Sequence, residues 1–118
     1  MMRLLGAFAI LSALAFGLTP AVAGPGLHVE AAIEHAQEAI QEGATGDTDE
    51  IVAHVRNALG HAREALHEKA LVVDRAANKL LHRAIRHLKL AEMRARFNDE
   101  ARAIKHTVDA ITELKKIK

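Results

Sequence analysis

The stretch HVEAAIEHAQEAIQEGATGDTDEIVAHVRNALGHAREAL, residues 28–66, decides the fold. Apolar residues recur at helical spacing on both sides of one break, Gly43-Ala44-Thr45-Gly46-Asp47, and no alternation of period two interrupts them. Gly43 suits a helix C′ position, and Asp47 with Glu50 reads as a capping box for the next helix. Two helices joined by so short a break must lie antiparallel.

Outward from this hairpin the chemistry is the same. Ala, Glu, Leu, Lys and Arg dominate, and Pro is absent after Pro25. A second break falls at Phe97-Asn98-Asp99, where Asn98 or Asp99 can cap a new helix. A single helix from Thr48 to Arg96 would exceed about 70 Å, so a turn is required near Lys69 to Asp74, where Val72 and Val73 are poor helix formers and Asp74 can cap. The expectation is an all-α chain with helices near 27–42, 48–69, 73–96 and 99–117, arranged as an up-down-up-down four-helix bundle.

The first 23 residues read differently. Arg3 is followed by an apolar run of about 15 residues and then Ala21-Val22-Ala23, the order of a secretory signal peptide cleaved after Ala23. The run falls short of the roughly 20 residues a membrane-crossing helix needs. The mature chain is then residues 24–118, a periplasmic domain with no membrane attachment after cleavage.

Composition removes several functions. The 118 residues contain no Cys, Trp or Tyr, so disulfides, thiolate metal sites and thioether-linked haem are excluded. A net charge of +1 with three Phe offers neither the basic surplus nor the stacking platforms of a nucleic-acid groove. The near-neutral total hides an asymmetry. Residues 24–60 carry seven acidic residues and one basic, Arg56, a net of −6, while residues 61–118 carry a net of +6. Such halves can pair with each other within the chain, and the acidic half can attract cations. No Ser/His/Asp or paired-carboxylate arrangement stands out, so no enzymatic reaction is implied.

The eight histidines carry the functional information. Five segments share the pattern His-x-x-x-Ala-Ile/Leu, beginning at His28, His35, His54, His61 and His106. The apolar positions one, four and five after each His form one helical stripe, and at about 100° per residue the His falls at its edge. His28 and His61 are centred on position 44.5, as are His35 and His54; His87 and His106 are centred on 96.5. Each midpoint lies in or beside a break, so the two members of each pair sit at matching depth in a hairpin.

Imidazoles seven residues apart on one helix are separated by about 10 Å, too far to share one ion. The facing helix can supply the second ligand, and carboxylates Glu38, Glu50, Glu64 and Asp109 lie three or four residues from a histidine. Imidazole with carboxylate suits Cu(II), Ni(II) or Zn(II), with Cu(II) favoured by intrinsic affinity. The candidate metal ligands are therefore His28, His35, His54, His61, His87 and His106, with those carboxylates as co-ligands. His67 and His82 fall off the repeat and read as surface residues. Glu64-x-x-His67 matches one element of a di-iron site but has no second copy, and Met93, which with a histidine on another helix would make an axial haem pair, sits at the helical spacing of a core residue.

The repeats HVEAAIEHAQEAIQEG and HVRNALGHAREAL, with IRHLKLAE and IKHTVDAITEL, resemble the small metal-binding protein (SmbP) family. The resemblance covers most of 28–67 and 85–114. It implies an exported four-helix bundle that binds divalent metals, notably copper, through the repeat histidines; the function expected from the whole reading is non-enzymatic metal buffering or delivery in the periplasm. The competing reading is a periplasmic helical module without metal, whose charge asymmetry serves a protein partner or self-association.

Overall fold

A computed structural model describes residues 26–117, and the expected signal peptide lies outside them. All regular structure in the described residues is helical: α1 (Leu27–Gly43), α2 (Thr48–Ala65), the single-turn α3 (Lys69–Val73), α4 (Arg75–Arg96) and α5 (Glu100–Lys115). Five helices stand where four were expected. The second ends at Ala65 rather than residue 69, and α3 fills the connector, anchored by buried Leu71.

Capping fixes the starts. The Asp47 side chain accepts from the backbone N–H of Asp49 and Glu50, Asp74 from Ala77, and Asp99 from Arg102, each satisfying donors the first turn leaves free. Asn98, not Asp99, takes the left-handed conformation (φ 59°) that ends α4. The α1–α2 turn differs from the simplest expectation: Gly46 carries the positive φ of 87°, while Gly43 is still helical and buried. A Cβ on Gly43 would stand 2.7 Å from Ile51 Cδ1, so glycine there permits close helix approach and does not terminate the helix.

The four long helices close a ring in which α1 packs on α2, α2 on α4, α4 on α5 and α5 on α1. Each neighbour runs antiparallel. Thr48 at the start of α2 donates to Asn98 beyond the end of α4, and the built Cβ of Gly43 at the end of α1 lies 3.3 Å from Ile104 near the start of α5. Alanines 32, 36, 39, 58, 62 and 65 are buried along the α1–α2 seam. Small residues at these positions permit a close approach of the two helices. Larger side chains, Ile51, Val55, Leu81, Leu88 and Leu114, fill the centre. No described helix is long and apolar enough to cross a membrane.

Candidate metal centre

Every histidine of the three expected pairs is half-buried at a helix edge, whereas His67 and His82 are exposed. The reason lies in the residues that follow. One and four positions after each paired histidine are two buried side chains: Val29/Ala32, Ala36/Ala39, Val55/Ala58, Ala62/Ala65, Leu88/Ala91 and Thr107/Ala110. The fourth position is Ala in all six cases, but Leu71 after His67 and Arg86 after His82. That alanine lets the neighbouring helix approach beside the ring. His87 shares it, although Glu92 replaces the Ile/Leu that completes the pattern elsewhere, so His-x-x-x-Ala is the sharper motif.

The antiparallel hairpins then bring the pairs together. His28 Nδ1 lies 3.1 Å from His61 Nδ1, and His87 Nδ1 lies 3.3 Å from His106 Nδ1. His35 and His54 stack with ring centroids 6.3 Å apart, and His35 also stacks on His61 at 5.4 Å. Four imidazoles thus run unbroken along the α1–α2 seam, and a separate pair occupies the α4–α5 seam.

Carboxylates join two of the three pairs. Glu38 Oε1 sits between facing rings, 3.1 Å from His35 Nδ1 and 3.2 Å from His54 Nδ1. His54 Nδ1 is buried without an aligned hydrogen-bond partner among the described residues. Glu50 stands 3.7 Å from the other nitrogen of His54. On the second seam Asp109 Oδ2 is 4.0 Å from His87 Nδ1 but is already held by Lys105 Nζ at 3.1 Å. Glu64 is exposed and joins no such group among the described residues.

The spacing fits an ion. Two ligands about 2.0–2.1 Å from one tetrahedral metal are about 3.3 Å apart, somewhat less in a square-planar site. The ligand atoms of His35, Glu38 and His54 all lie within 4.8 Å of one another, as do those of His87, His106 and Asp109. The same contacts also suit metal-free protein, because one neutral imidazole donates Nδ1–H to the lone pair of its partner.

Two of the clustered imidazoles, His61 and His106, resist protonation. Burial, then the neighbouring His35 and His28, pushes the His61 pKa below 6.5. Burial, then His87, does the same to His106 against the opposing pull of Asp109. A folded-state pKa below the unfolded value means the native state binds fewer protons, so this stability is complete above pH 6.5 and is lost as pH falls from there through the lower folded-state pKa. Metal-free protein is expected to melt at lower temperature at about pH 5 than at about pH 7, and His61→Gln/His106→Gln should flatten the dependence. Thermal scans across this range check it; a melting temperature that rises on acidification contradicts the electrostatics.

Comparison with curated protein sequences gave no match. Residues 1–117 match the sequence profile described as small metal-binding protein, and with paired half-buried histidines and two histidine–carboxylate groups at ion-binding distances, the chain belongs to the small metal-binding protein family.

Proposed function

We propose that the exported chain, residues 24–118, is an up-down-up-down four-helix bundle that binds divalent metal in the periplasm and catalyses no reaction. Cu(II) is the preferred ion ahead of Ni(II) and Zn(II), and the role is buffering or delivery. The observation that carries this reading is the convergence of Glu38 with His35 and His54 from facing helices, repeated in weaker form by His87, His106 and Asp109. Nitrogen-rich sites with a single carboxylate favour Cu(II) in the usual affinity order. Half-buried rings at helix edges leave the ion an entry path from solvent, as reversible loading requires.

The test is calorimetric titration of metal-free residues 24–118 with Cu(II), Ni(II) and Zn(II). The expected result is saturable binding, tightest for copper, that weakens as pH falls because only neutral imidazole ligates. A variant with all six paired histidines changed to Ala should bind none of the three above background. Equal copper binding by that variant and the parent chain sinks the reading.

A further inference from the structure

The opposite charges of the two halves do not neutralise each other inside the molecule. Among the described residues one ion pair joins them, Arg56 with Glu92, and it runs against the trend, with the cation from the acidic half and the anion from the basic half. The remaining pairs stay within a half. The seams between helices are occupied by alanines and histidines, so the surplus charge is displaced outward.

On α4 this displacement is regular. Arg75, Lys79, His82, Arg86 and Lys89 are spaced four, three, four and three apart, all exposed on the side away from buried Ala77, Leu81, Ala84, Leu88 and Ala91. The four cations of this stripe span about 21 Å and enter no ion pair within the described fold. On α1, exposed Glu30, Glu34 and Glu42 span about 18 Å away from buried Val29, Ala32, Ala36 and Ala39, while Glu38 turns into the α1–α2 seam between His35 and His54. The stripes match in length and are opposite in sign. They also lie on opposite sides of the molecule, because α1 and α4 each pack on α2 and α5 and so occupy a diagonal of the ring.

We infer that the outer face of α4 docks the outer face of α1 on a second copy of this chain. Because the two faces point in opposite directions, one pair of molecules cannot satisfy both contacts. The contact is heterologous and leaves a free face at each end, so association is head-to-tail and open-ended. A face one helix wide is smaller than a standard stable interface, which makes assembly weak and dependent on concentration. Its attraction is carried by exposed charges and is therefore screened by salt.

Sedimentation equilibrium of metal-free residues 24–118, with chelator present, tests this at about 20 mM and about 0.5 M salt. The expected result is a weight-average mass that climbs with concentration at low salt and returns to the monomer value at high salt. Two charge-reversed variants sharpen it: Arg75→Glu/Lys79→Glu/Arg86→Glu/Lys89→Glu, and Glu30→Lys/Glu34→Lys/Glu42→Lys, which spares Glu38. Each alone should stay monomeric, and an equimolar mixture should associate again, with helical circular dichroism confirming that both are folded. A parent chain that stays monomeric at low salt up to millimolar concentration, or a mixture that fails to associate, overturns the proposal. So does a monomeric parent that sediments with phosphatidylglycerol vesicles while the α4 variant does not, since the stripe would then meet an anionic lipid surface.

Discussion

Replacing His35 and His54 together with alanine is expected to remove one bound metal equivalent and to leave the other in place. Both rings meet Glu38 Oε1 at 3.1 and 3.2 Å, and no other described carboxylate stands between two facing imidazoles. A structural four-ligand site in a small domain gains roughly 10–16 kcal/mol from its ion, about 3 kcal/mol per ligand or about a hundredfold in affinity. Two lost ligands should weaken this site on the order of 10⁴-fold, beyond detection in a micromolar titration. The companion variant His87→Ala/His106→Ala should remove the other equivalent. That one is expected to be the weaker in the parent chain, because an ion there must take Asp109 from Lys105, whose ammonium lies 3.1 Å away, and must enter a basic neighbourhood. Isothermal titration of the two variants beside the parent chain decides the matter. If either double variant keeps the full stoichiometry and affinity, the assignment of that seam is wrong.

The depth of each histidine was legible because helix rise per residue is constant and both turns are short. Midpoints of 44.5 and 96.5 therefore suffice to match His28 with His61, His35 with His54 and His87 with His106 from the sequence. The connector between α2 and α4 was less legible. Val72 and Val73 argue against helix by propensity, yet buried Leu71 holds a turn of helix there through a contact that no local pattern reveals. Carboxylates three residues from a histidine look alike in sequence, and the fold divides them: Glu38 faces a second ring, Asp109 is shared with a lysine, and Glu64 is exposed and meets no second ring among the described residues. Which of these occurs depends on where the facing helix ends and what it carries, information that lies more than twenty residues away in the chain. Gly43 gave a related ambiguity, because a glycine needed for close packing and a glycine needed for a left-handed turn look identical in sequence.

The largest stability effect is expected not at the histidines but at Leu88. Among the described residues twelve of the 22 buried apolar ones are alanine, so burial of large side chains falls to a few positions, and Leu88 is fully enclosed beside His87. Leu88→Ala removes three carbons and leaves a cavity in a core whose many alanines have little side chain to move into it, a change that costs about 2–5 kcal/mol. In a domain of this size that corresponds to a melting temperature lower by on the order of 10–30 °C, and it is a large part of the roughly 5–15 kcal/mol that small domains possess. Metal offers a separate handle on the same equilibrium. An ion bound only by the folded chain adds about 2.7 kcal/mol at a hundred times its dissociation constant, so copper should return much of the loss in Leu88→Ala and none of it when all six paired histidines are also changed to alanine. Differential scanning calorimetry with and without copper separates the contributions. Recovery of the histidine-free variant by copper would mean that the ion stabilises the bundle from somewhere other than its helix seams.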